Sequence, residues 1–130
     1  MTARPIIAAT LSALALAGCM QSGPREREPV APAAVAIGAG ERCIPLSQVR
    51  STRVRDDWTI DFEGAGDKVW RNTLPNRCAG LGFEEAFSYS TSLTQLCSTD
   101  IIYPIQTIGG LVERRGACGL GEFVPVRLQD

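Results

Sequence analysis

Cys43, Cys78, Cys97 and Cys118 are spread widely along this chain, and a fifth cysteine, Cys19, stands alone near its start. This placement constrains the fold more than any other feature. There is no C-x-x-C among the five, so neither a zinc ribbon nor a thioredoxin-like redox site is expected. In an exported small domain, cysteines so spaced are staples. An odd count leaves one thiol that needs another use.

The residues around Cys19 supply that use. Arg4 is followed by an apolar run from Ile6 to Ala17, which is too short to span a bilayer, since spanning takes about 20 residues. A positive start followed by such a run reads as a secretory signal. "LAGC", Leu16 to Cys19, resembles a bacterial lipobox, in which small residues precede a cysteine that takes a diacylglyceryl group and becomes the mature N-terminus. Small side chains let a peptidase reach the backbone, and a thiolate is the nucleophile that takes the lipid. Two other readings compete. "ALA", Ala15 to Ala17, satisfies a small-x-small cleavage rule and would give a soluble periplasmic protein starting at Gly18, or the segment stays as an uncleaved anchor. The lipid reading alone solves the parity problem, because it leaves four cysteines for two disulfides. Acyl chains on Cys19 would tether the protein to a membrane without crossing it. Met20 follows the cysteine, where enterobacterial sorting has Asp for inner-membrane retention. By that resemblance the expected location is the periplasmic face of the outer membrane.

Three segments are therefore expected: a signal peptide at 1–18, a lipid-anchored flexible linker at 19–41, and a small β-domain at 42–130. The linker carries Pro24, Pro29 and Pro32 among alanines, glycines and charges, with no sustained apolar period. In the domain, "WTIDFE" alternates Trp58, Ile60 and Phe62 with Thr59, Asp61 and Glu63, the pattern of a half-buried strand with Asp61 toward solvent. "STRVR" before it and "KVWRNTL" after it complete a three-stranded meander over 50–74, with turns at Asp56–Asp57 and at Gly64–Asp67. "FSYS" at 87–90, "STDIIYPIQ" at 98–106 and "EFVPVRL" at 122–128 give three more strands. Pro45 predicts a short helical turn, and Ser92 with Gln95 has capping-box spacing for another before Cys97. "CAGLGF" and "CGLGEF" read as glycine-bent turns leading into strands. The fold class is all-β with minor helical turns: a small partly open β-barrel, or a sandwich, of five or six short antiparallel strands stapled by disulfides. Four cysteines allow three pairings, and the expectation leans to Cys43–Cys118 joining the domain ends with Cys78–Cys97 inside.

"RCIPL", "STRVRDD", "RNTLPNRC", "TSLTQLCSTDII" and "CGLGEFVPV", in that order over residues 42–127, resemble a family of small exported proteins of Gram-negative bacteria known only as a domain of unknown function. The resemblance implies an envelope protein with paired cysteines. It carries no catalytic residues.

The chain contains no histidine, which removes Ser-His and Cys-His pairs, histidine bases and histidine metal ligands together. Ser88, Ser90 and Ser92 lack a partner base, and Lys68 is the only lysine. "GAG" and "GLG" lack the residues and context of a phosphate cradle. No catalytic residue, metal site or cofactor is expected. Net charge near zero implies no strong field toward nucleic acid or an anionic membrane, and no nucleic-acid partner is expected. Arg53, Arg55, Arg71 and Arg77, with Trp58 and Trp70, form a candidate binding face, because arginine forks suit phosphate and carboxylate groups. Its acidic neighbours Asp56, Asp57, Asp61 and Glu63 would neutralise it. The expected partners are the membrane, through the N-terminal lipid, and an anionic envelope component or another envelope protein. The leading expectation is thus a non-enzymatic envelope lipoprotein, a periplasm-facing binding or accessory module. The alternative is a histidine-free periplasmic hydrolase or lyase using carboxylates such as Asp56, Asp61 or Asp100.

Overall fold

In the computed structural model, which describes residues 31–91 and 93–129, the alternating segments form the expected meander. Strands β3 (Ser51–Val54), β4 (Thr59–Glu63) and β5 (Val69–Thr73) pair antiparallel in sequence order. The Asp56–Asp57 turn is an Asx turn, with the Trp58 N–H donating to Asp56 Oδ1 at 2.8 Å. β11 (Phe123–Leu128) returns beside β5, and β1 (Ala34–Ala36) pairs with β11, giving a five-stranded sheet in the order β1-β11-β5-β4-β3.

A second sheet is built on β8 (Ile101–Ile108), flanked by β6 (Phe87–Tyr89) and β10 (Cys118–Gly119). Past these, β8 continues into a hairpin with β9 (Leu111–Arg114). β2 (Cys43–Pro45) pairs with β7 (Gln95–Cys97) as a separate ribbon. A 3-10 turn, Leu46–Gln48, follows Pro45 as expected, and one turn of helix, α1 (Leu81–Glu84), lies between β5 and β6. The core lies between these layers. Ile60, Phe62, Trp70 and Phe123 of the large sheet meet Ile44, Leu96 and Ile102 of the other two, with Leu74, Leu81 and Leu120 closing the gaps. Phe62 stacks edge-on against Phe123 at 5.3 Å and Phe87 at 6.4 Å.

The all-β, antiparallel, disulfide-stapled class is therefore correct, and the architecture is sandwich-like. No closed barrel forms among the described residues. Among the described residues the expected five or six strands become eleven, because β1, β2, β7, β9 and β10 were not anticipated. Three further corrections follow from pairing. The spacer does not run to residue 41: β1 adds to the large sheet, and Glu41 exchanges backbone hydrogen bonds with Phe123 at 2.8 Å. The turn at Cys78 leads into α1 rather than a strand, because Gly80 takes a left-handed conformation at φ 85°. The helical turn before Cys97 is replaced by β7; Thr91 Oγ1 lies 3.1 Å from the Gln95 carbonyl and accepts from the Leu93 N–H at 3.2 Å. Ser92, the first residue of the proposed capping box, lies outside the described residues, as do the leader, Cys19 and the linker up to residue 30.

The disulfide pairing also differs from the expected one. Cys43 bonds Cys97, and Cys78 bonds Cys118. In the β2–β7 ladder Cys43 and Cys97 face each other, bracketed by the bonds Ser98 N to Arg42 O at 2.7 Å and Leu46 N to Thr94 O at 2.9 Å. That makes them the close, non-hydrogen-bonded pair, with Cα atoms 4.0 Å apart. The domain ends are joined by β1–β11 pairing, so no end-to-end disulfide is needed.

Candidate functional site

Alternation along β3, β4 and β5 gives the large sheet an apolar face toward the core and an outward face carrying Ser51, Arg53, Arg55, Asp61, Glu63 and Arg71. These outward groups are tied together. Arg53 Nε donates to Glu63 Oε1 at 2.7 Å, and Ser51 Oγ donates to Glu63 Oε2 at 2.7 Å. Asp61 sits opposite Arg53 and Arg71 in the ladders and accepts three charged bonds: from Arg55 Nε at 2.8 Å, Arg71 Nε at 2.8 Å and Arg71 Nη2 at 2.9 Å. The Arg71 contact is a bidentate fork. Its remaining Nη1 donates to the Pro32 carbonyl at 2.7 Å, which pins the chain leading into β1 across the same face.

Asp61 therefore does not face solvent as expected; it is 0% exposed. Its side chain points outward from the sheet, but two arginine stems fold over it and exclude water. The cluster holds one carboxylate between two guanidinium groups and so has a net positive charge.

Beside this face a shallow groove of about 280 Å³ runs along the unpaired edge of β3, lined by Thr52, Arg53, Val54, Arg55 and Glu85. The edge is open because Arg55 N donates inward to Thr59 O at 2.9 Å, which places the backbone groups of Thr52 and Val54 on the outer side. Glu85 is brought there by α1. The Gly82 N–H donates to Asp57 Oδ1 at 2.8 Å, and Cys78 N donates to Asp57 O at 2.9 Å, so the Asp56–Asp57 turn and α1 pack together. A side chain at Gly82 would meet the Asp56 backbone at 3.0 Å. Glu85 itself has φ 53°, a left-handed conformation unusual outside glycine.

The six residues of the candidate binding face are not one surface. Arg53, Arg55 and Arg71 are gathered on the sheet, each paired with a carboxylate. Arg77 stands in the Pro75 loop and pairs with Asp57 at 2.7 Å. Trp70 is on the opposite, core face, where its Nε1 donates to Glu41 Oε2 at 2.6 Å and Lys68 Nζ lies 4.3 Å above its ring. Trp58 is partly exposed at the start of β4. The acidic neighbours do neutralise most of the patch, as their spacing suggested.

The carboxylates named for chemistry are separately engaged: Asp56 by Trp58 N, Asp61 by Arg55 and Arg71, and Asp100 by Cys97 N at 2.7 Å. None of them lines the groove. Among the described residues no three cysteine or carboxylate side chains are grouped as metal ligands. The polar crowd in "RNTLPNRC" ties loops down. Asn72 is buried, donating to Gly121 O at 2.7 Å and accepting from Gly121 N at 2.8 Å, and at Gly121 any Cβ would strike the Thr73 carbonyl. Sequence reasoning missed Glu85 and the burial of Asp61. The run R-D-D-W-T-I-D was the available signal for Asp61, since Arg55 and Asp61 lie on the same face of two strands joined by a tight turn and are diagonal neighbours across it.

Comparison of the chain with protein-family models, curated proteins and solved structures finds no match.

Proposed function

We propose that this protein is a non-enzymatic envelope lipoprotein, anchored through Cys19 at the periplasmic face of the outer membrane and acting as a binding or accessory module. The observation that carries the reading is the pair of disulfides, Cys43–Cys97 and Cys78–Cys118, which uses every cysteine except Cys19. Two such bridges fit an oxidising compartment. They leave one thiol, and it stands at the lipobox position. The separate engagement of Asp56, Asp61 and Asp100 favours binding over carboxylate chemistry, which would need two of them converging in one pocket. The resemblance to exported proteins of unknown function belongs to the same proposal. The groove at the β3 edge, with Arg53, Arg55 and Glu85 on its walls, is its candidate contact site.

The test is metabolic labelling with an alkyne fatty acid in a Gram-negative host, followed by separation of inner and outer membranes. The wild-type chain takes the label and fractionates with the outer membrane, whereas Cys19→Ala takes none. Unlabelled wild-type protein in the soluble periplasmic fraction would overturn the anchor.

A further inference from the structure

The β8–β9 hairpin carries apolar residues that no other described residue covers. Ile108 is 50% exposed, Leu111 70% and Val112 68%. All four residues of β9 are exposed, and among the described residues β9 pairs with β8 alone. The ribbon projects because Gly109 and Gly110, at φ 56° and 83°, close a two-residue turn between the paired residues Ile108 and Leu111.

Register divides the ribbon into two faces. Ile108 and Leu111 share one with Gln106 and Glu113; Val112 shares the other with Thr107, Ile105 and Arg114. Both faces of the tip are thus apolar. A flat protein surface would cover only one of them. A fluid apolar layer covers both. Residues 107–112 carry no charge; each strand contributes two of them and Gly109–Gly110 the turn, giving a tip about 7 Å deep below the turn's base, within the depth of an interfacial insertion.

At the base of the tip the chemistry changes. Arg114 and Arg115 follow Glu113, so the collar is net basic. The Arg114 guanidinium lies 5.4 Å over the Tyr103 ring, and Arg115 N donates to Pro104 O at 2.7 Å. Arg114 and Arg115 are both exposed and follow the tip on the side toward the body of the domain. That is the order of an anionic lipid leaflet, with hydrocarbon below and phosphates above.

We infer that the β8–β9 tip is a membrane-insertion element, with Ile108, Leu111 and Val112 entering the leaflet and Arg114 and Arg115 meeting its phosphates. The inference rests on the proposed placement beside a membrane. Residues 20–30 can span at most about 40 Å, so a domain anchored at Cys19 is held within reach of the surface.

The experiment uses full-length protein purified from membranes, carrying Leu111→Trp, in vesicles of phosphatidylethanolamine and phosphatidylglycerol. Intact mass of the same sample reports whether residue 19 is acylated. The expected result is blue-shifted emission, quenched by lipids brominated near the headgroup at least twofold more than in the parent, whose Trp58 and Trp70 lie on the body. Adding Ile108→Glu and Val112→Glu abolishes the extra quenching. Arg115→Gln lowers insertion about fivefold in phosphatidylglycerol vesicles and leaves it unchanged in phosphatidylcholine. Acylated protein with parental quenching would overturn the inference while the anchor stands. Unacylated protein that still shows the extra quenching would uphold the tip while the anchor falls. A blue shift without lipid that disappears on dilution would assign the tip to a second copy of the chain and overturn the inference.

Discussion

Asp61 is the residue whose replacement the fold tolerates least among its charged groups. It is buried and holds Arg55 and Arg71 on neighbouring strands, and through Arg71 the Pro32 carbonyl. Removing one member of a buried pair leaves the others unmatched, at a cost of about 3–5 kcal/mol. Asp61→Asn is expected near the lower end, because both arginines retain some access to water. Arg53→Ala, which breaks an ion pair whose arginine is 63% exposed, is expected to cost under about 1 kcal/mol. Denaturant midpoints of the two variants check the contrast; equal shifts would show that the Asp61 cluster is no more than a surface pair. The sequence showed which way Asp61 points and missed that it is buried. Period-two alternation reports the side of the sheet. Whether an outward side chain meets water depends on the reach of arginines from adjacent strands, which no single-strand pattern contains.

At the level of elements, legibility followed period and residue type more than length, since the three-residue β6 was expected from its aromatic alternation. β3, β4 and β5 were readable because each has four or five residues with alternating character and a turn signal between them. β1, β2, β7 and β10, at two or three residues, hold no period and exist only through their partners. The β8–β9 hairpin was different. Its Gly109–Gly110 turn between Ile108 and Leu111 is a strong hairpin signal in the sequence itself, overlooked in favour of the strand ending at Gln106. A Cβ at Gly110 meets nothing within 4 Å, so Gly110→Ala strains the backbone without a clash. A left-handed alanine costs about 1–2 kcal/mol. Because β9 pairs only with β8, that cost should open the hairpin and leave the body intact. The expected result is faster amide exchange over 107–112 with an unchanged global midpoint; slowed global folding would mean that the hairpin is part of the core structure.

For the molecule as a whole, the disulfides decide stability. The loops they close span 54 and 40 residues and overlap in sequence; Cys43–Cys97 staples the two strands of the β2–β7 ribbon to each other, and Cys78–Cys118 ties the turn before α1 to β10 of the second sheet. Chain entropy assigns each about 4 kcal/mol, against a total near 5–15 kcal/mol for an ordinary domain. Replacing either pair by serines should therefore lower the thermal midpoint sharply, and replacing both should leave no cooperative transition; retained cooperativity in the absence of both would contradict this. The number of bridges was legible from cysteine parity, but their partners were not, because pairing was decided by the β2–β7 register and by the position of β10. The candidate site was legible as a set of arginines with acidic neighbours, but which arginine meets which carboxylate was not, since the pairs form between strands and loops.

Intact mass of the native protein extracted from envelope membranes tests the proposed tether and the staples at once. The account predicts a chain beginning at Cys19 with acyl groups attached, lighter than its reduced form by the hydrogens of two disulfides. A chain beginning at Gly18 without lipid, or one whose mass does not change on reduction, would contradict it and return Cys19 and its partners to thiol and metal chemistry.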